Sequence, residues 1–126
     1  LPIGTIFVIG DTDEVEKYTR QLIFNPFRGY PEEDRNIMDF SIKETVKEFA
    51  QIDGAFIVKS DGTIVSAGTY IDAPLDGVSI PQGLGSRHLA ACAITTKTKA
   101  VSVVVSQSGA IRMFKDGKII LGIEGK

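Results

Sequence analysis

Residues 53–68 read DGAFIVKSDGTIVSAG, from Asp53 to Gly68. Two apolar, β-branched runs, Ala55 to Lys59 and Thr63 to Ala67, flank Ser60-Asp61-Gly62. Val, Ile, Phe and Thr suit a pleated, half-buried surface. Asp-Gly between two such runs marks a hairpin, because both residues tolerate positive φ. The stretch predicts a pair of adjacent strands with a tight connection.

Working outward toward the N-terminus, a helix is predicted from about Ser41 to Gln51. Ser41-x-x-Glu44 has the form of a capping box, and Ile42, Val46, Phe49 and Ala50 make an apolar stripe. Farther back, Gly4 to Gly10 (GTIFVIG) reads as a buried strand, with the chain from Leu1 already entering it. Asp11 to Phe24 carries a helical rhythm at Val15, Tyr18 and Leu22, with acidic residues in the first turn where the helix dipole favours them. Asn25-Pro26 and Tyr30-Pro31 interrupt it and leave a loop whose aromatics, Phe27 and Tyr30, read as exposed.

Toward the C-terminus, Asp72 to Gly85 holds two prolines and three glycines and reads as a loop. It is long for a chain of this size, and long loops are often functional. Arg87 to Thr96 is predicted as a helix, with Leu89, Ala93 and Thr96 near one face. Ala100 to Ser106 is predicted as a central strand. Ala110 to Lys115 and Lys118 to Ile123 form a second hairpin across Asp116-Gly117. The resulting order, β-α-loop-α-β-β-loop-α-β-β-β, is that of an α/β domain: a single mixed β-sheet flanked by helices, over residues 1–126. A start inside a strand, without Met, suggests a piece of a longer protein.

Composition narrows the function classes. The 126 residues are 43% hydrophobic, enough for a core and against disorder. With 14 basic and 16 acidic residues the net charge is −2, which argues against direct nucleic-acid binding by a basic surface. A nucleotide site needs only a few placed cations and backbone N–H groups. One cysteine, Cys92, excludes an internal disulfide. No apolar run approaches the ~20 residues of a membrane helix, and the default expectation is a cytoplasmic protein with no membrane partner.

Three stretches carry chemistry. In Gly83-Leu84-Gly85-Ser86-Arg87-His88 a glycine loop opens a helix. Glycines admit close approach by a ligand, the helix start offers free N–H groups for phosphate, and Arg87 adds a planar double donor. His88, the only histidine, would suit a divalent metal on those phosphates. The same residues also describe a plain capped turn with a solvated Arg and a packed His. Asp53-Gly54-Ala55 could orient a hydroxyl or hold a metal, or Gly54 could simply end a helix. Ser106-Gln107-Ser108-Gly109 follows a strand end, where α/β folds often bind ligands, or is merely a turn. Tyr70 could stack on a base or fill a partner surface. Cys92 reads as a core residue, and Glu32-Glu33-Asp34 as a solvated face.

Taken in order, Asp53-Gly54-Ala55, Gly85-Ser86-Arg87-His88 and Val105-Ser106-Gln107 resemble the signatures of the diadenylate cyclase domain family, in the manner of its archaeal branch and of the N-terminal domain of DNA-integrity-scanning proteins. The likeness covers roughly Phe40 to Ile123. It departs at Leu89, where many members carry a second Arg. The resemblance implies condensation of two ATP into cyclic di-AMP, a nucleotide second messenger, with release of two pyrophosphates. It implies Asp53, Gly54 and Ala55 as the catalytic turn, and Gly85, Ser86, Arg87, His88, Ser106 and Tyr70 as ATP contacts. It implies Mn²⁺ or Mg²⁺ held by His88 and Asp53. Because each 3′-hydroxyl must attack the other nucleotide, it further implies self-association as a head-to-head dimer or higher homo-oligomer. Two other readings remain at this point: a nucleotide sensor without turnover, and a roadblock- or PAS-like interaction module.

Overall fold

The computed structural model describes residues 4–125; the part of the predicted entry strand at Leu1, Pro2 and Ile3 lies outside them. Seven strands form one mixed sheet in the order β2-β4-β3-β1-β5-β6-β7. They are β1 (Thr5–Ile9), β2 (Thr19–Gln21), β3 (Ala55–Val58), β4 (Ile64–Ile71), β5 (Val101–Val105), β6 (Ile111–Lys115) and β7 (Lys118–Ile123). Only β1 and β3 run parallel; the other neighbours are antiparallel. The helices are α1 (Thr12–Glu16), α2 (Lys43–Phe49) and α3 (Ser86–Lys97).

The strands alternate between two cores, as a sheet covered on both faces requires. Ile6, Val8, Ala55 and Ile57 point to one face and pack under α3 with Ala91, Cys92 and Ile94. Phe56 and Val58 point to the other with Phe7 and Ile9, where Val46, Phe49 and Phe27 cover them. Phe27, expected exposed, is buried because its ring packs on Phe49 and Phe56. Phe7 and Phe56 are register partners across the parallel pair, and their rings stack at 4.8 Å.

Both predicted hairpins form. In the second, Asp116 (φ 51) and Gly117 (φ 75) are both left-handed, as a two-residue turn demands. In the first, β4 runs on to Ile71 and thereby reaches the site.

Two expectations are corrected. The predicted helix over residues 11–24 stops at Glu16, and Thr19–Gln21 becomes a strand against the edge of β4. Tertiary pairing outweighs the weak helical rhythm here. Val15 and Tyr18 still reach the core, while the Gln21 amide bonds the Ala67 carbonyl at 2.8 Å and accepts from the Thr69 hydroxyl at 2.6 Å. The Ser41 capping box does not form either. Asp39 accepts from both the N–H (2.9 Å) and the hydroxyl (2.8 Å) of Ser41, a 3-10 turn follows over Phe40–Ile42, and α2 begins at Lys43. The shorter, stiffer carboxylate two residues upstream takes the orphan donor first.

Candidate active site

Four chain segments meet at one end of the sheet. They are the start of β1, the turn into β3, the end of β4 and the start of α3. Together they line a cavity of about 670 Å³. Ile6, Ile71, Ala73, Leu75, Leu89 and Ala93 supply apolar wall, and Asp53, Tyr70, Asp72, Ser86 and Arg87 supply polar groups. That mixture suits a ligand with a flat apolar part and a charged part.

Asp53-Gly54-Ala55 stands on the wall as the sequence motif suggests. Gly54 has φ 103, and a methyl group there would lie 2.5 Å from the backbone nitrogen of Thr69 and 2.7 Å from the carbonyl carbon of Gly68. The turn therefore passes hard against β4, and glycine is required twice, by conformation and by space. The consequence is positional: Asp53 is exposed beside the cavity, and Ala55, 1% exposed, anchors β3 directly behind it.

α3 places its residues by helical period. Ser86, Leu89, Ala90 and Ala93 follow the i, i+3, i+4, i+7 spacing of one helical face and all line the cavity. Leu89, the departure from the family pattern, is thus part of the apolar wall. Arg87 flanks this stripe and reaches the cavity as well. Gly85 occupies the N-cap position with no side-chain cap, and a methyl group on it would meet nothing within 4 Å. Gly85, Ser86 and Arg87 are exposed, so the start of α3 is accessible to a phosphate group.

Two residues expected at the site do not line this cavity. His88 does not share the cavity with Asp53. Consecutive helix residues are turned by about 100°, so His88 falls on the buried side of α3 with Ala91, Cys92 and Thr95. Its ring lies 6.2 Å from that of Phe114, and Nε2 is 3.4 Å from a guanidinium nitrogen of Arg112. Burial pushes its pKa below the ordinary value, with Arg112 and then Arg87 adding to the effect. Ser106 is also occupied elsewhere. Its hydroxyl pairs with that of Ser108 at 2.7 Å and accepts from the Ala110 N–H at 3.2 Å, closing the β5–β6 turn.

Tyr70 is on the wall, 42% exposed. Arg20, its register partner on β2, sets its guanidinium 4.7 Å from the centre of the ring. Arg20 is not legible as a site residue in the sequence, because β2 lies inside a stretch with helical rhythm. Gly4 and Ile52 were missed too. Both line this cavity and a second one of about 480 Å³, which also shares Asp53 and Arg87 and extends over Glu44, Lys47, Glu48 and Gln107.

Comparison with known proteins agrees with this geometry. A family model described as DisA bacterial checkpoint controller nucleotide-binding matches residues 1–119. A diadenylate cyclase of Methanocaldococcus jannaschii is 51% identical over 119 residues, 94% of this chain and 37% of that protein. A diadenylate cyclase of Haloferax volcanii is 42% identical over 124 residues, 98% of this chain and 45% of that protein. The chain spans less than half the length of these curated relatives. Among solved structures, DacA from Staphylococcus aureus matches with a TM-score of 0.54 at 25% identity, over 94% of this chain and 73% of that one. A hypothetical membrane spanning protein from Bacillus cereus matches with a TM-score of 0.61 at 22% identity, over 94% and 54%, and supports the fold alone. Among the described residues, no helix is long and apolar enough to cross a membrane. With a family match over nearly the whole chain and two archaeal diadenylate cyclases at 42–51% identity, this chain belongs to the diadenylate cyclase (DisA nucleotide-binding) domain family.

Proposed function

We propose that this chain is a diadenylate cyclase domain, joining two ATP into cyclic di-AMP. The observation that carries the reading is one cavity lined by Asp53, Tyr70, Ser86 and Arg87, with the open start of α3 at its edge. Adenine and ribose occupy the apolar part beside Tyr70 and Leu75. The triphosphate lies toward Ser86, Arg87 and the N–H groups of α3.

The reaction needs two such sites face to face. The 3′-oxygen of one nucleotide attacks the α-phosphorus of the other, a new P–O bond forms, and the bond to pyrophosphate breaks. The proton of the 3′-hydroxyl leaves through Asp53 to solvent. The reciprocal attack closes the ring and releases a second pyrophosphate. Asp53 orients the hydroxyl, Arg87 follows the phosphate charge, and pairing two loaded subunits removes the entropy of a bimolecular encounter between nucleotides. The partner in this reading is a second copy of the chain in a head-to-head dimer.

A Mn²⁺ or Mg²⁺ ion fits the residues only as a companion of the triphosphate. Among the described residues, no three His, Cys, Asp or Glu side chains gather into a cage. The Asp53 carboxylate beside phosphate oxygens is the kind of donor set such hard cations use. When bound, the ion supplies neutralisation of charge at the α-phosphate and leaving group. His88, the other ligand expected, lies off the wall of this cavity beside Phe114 and Arg112. An ATP substrate and a lone, buried thiol suit the cytoplasm.

The test is product identification. Incubation with ATP and Mn²⁺, followed by mass spectrometry, is expected to show cyclic di-AMP and pyrophosphate in a 1:2 ratio. Intact ATP across Mn²⁺, Mg²⁺ and Co²⁺, with ATP binding demonstrated, would replace the cyclase by the nucleotide sensor.

A further inference from the structure

Gly4 is one of four glycines, with Gly85, Gly122 and Gly125, that positive φ does not explain, and the one whose missing side chain faces a charged group. Most glycines here sit at positive φ, where other residues are strained. Gly4 does not, and it stands at the entrance to β1, where glycine weakens a strand unless something must approach closely. What approaches is Arg87. A methyl group at Gly4 would lie 2.7 Å from Nη1 and 2.9 Å from Cζ of Arg87, with Nη2 at 3.3 Å. All three distances are to the guanidinium, so its plane is laid against the bare Cα. No acidic side chain among the described residues comes within ion-pair distance of Arg87. Among the described residues the guanidinium is therefore held by packing, and its donors make no hydrogen bond there. Gly4 and Arg87 stand together, with Ile52 and Asp53, on the walls of both cavities.

We infer that Gly4 is a positioning residue for Arg87: its missing side chain is the seat that holds the guanidinium at the shared wall of the two cavities, aimed at nucleotide phosphate. This rests on the cavity being the ATP site. Gly4 touches no reacting atom and acts only through where Arg87 lies. A side chain at position 4 lifts the far end of a flexible Arg, which costs the fold little and the phosphate contact much.

The test is a double-mutant cycle on ATP affinity, measured by calorimetry on the full chain with Mg²⁺, alongside thermal melts. Gly4→Ala is expected to weaken ATP binding about tenfold, the scale of a misplaced charge-assisted contact, with the melt within a few degrees of wild type. Arg87→Ala is expected to weaken binding by at least as much. Gly4→Ala added to Arg87→Ala is expected to change nothing further. Equal losses in both backgrounds, or wild-type affinity in Gly4→Ala, would overturn the role of Gly4 while leaving the ATP site intact. Should Gly4→Ala fail to fold, the double variant is expected to refold, since the clash is gone; an unfolded double variant would refute the inference. Absence of ATP binding in the wild-type chain would instead sink the site itself.

Discussion

At the residue scale, the motif Asp53-Gly54-Ala55 separates into distinct physical jobs. Gly54 is structural: positive φ and contact with the β4 backbone both exclude a side chain. Gly54→Ala is expected to lower stability by roughly 3 kcal/mol, seen in denaturant unfolding, because the opposing atoms are backbone and cannot yield. His88 has a different role from the one its sequence neighbourhood suggests. Burial, then Arg112 and Arg87, favour its neutral form in the folded protein. The unfolded chain consequently binds the proton first as pH falls. Stability is full above the ordinary histidine pKa of about 6.5 and declines as pH drops through that value toward the lower folded one. His88→Gln is expected to remove this step from thermal melts between pH 7.5 and 5.5; an unchanged slope would show that the ring is not held neutral. The identity of these residues was legible in the sequence, but not their directions. Arg87 and His88 are adjacent in the chain and point to different layers, because a helix turns neighbours apart.

At the element scale, what was legible follows the strength of local rules. Both Asp-Gly hairpins and the stripe of α2 satisfy turn chemistry and periodicity at once. β2 does not. Its three residues are strand only because the edge of β4 is there to pair with, and nothing local announces that. The cost of missing it is functional, since β2 delivers Arg20 to Tyr70. In the ATP site proposed here, Tyr70 offers its free face to adenine. Tyr70→Ala is expected to raise the KM for ATP about tenfold with kcat largely kept, the scale of one lost base stack. Arg20→Ala is expected to raise it only a few-fold, by loosening the ring. Equal effects on kcat would move Tyr70 from binding to chemistry.

At the scale of the whole molecule, the sheet sets where the site lies. The cavity opens where β1 and β3 begin and β4 and β5 end, so the parallel pair and its antiparallel neighbours present opposite strand termini to it. Sequence order alone suggests a mixed sheet but leaves this end unspecified, because the parallel β1–β3 contact joins residues some fifty positions apart. The head-to-head reaction has its own signature at this scale. At saturating ATP, specific activity is expected to rise with protein concentration until the dimer is populated. A specific activity flat from nanomolar to micromolar protein, with a monomer in sedimentation, would require a different route to the ring.

The most direct measurement compares ATP affinity and cyclic di-AMP turnover in Asp53→Asn and Arg87→Ala. If both side chains serve one nucleotide in one cavity, Asp53→Asn retains ATP affinity within about threefold and loses turnover, while Arg87→Ala loses affinity by tenfold or more. Full turnover in Asp53→Asn, or unaltered ATP affinity in Arg87→Ala, would contradict that convergence.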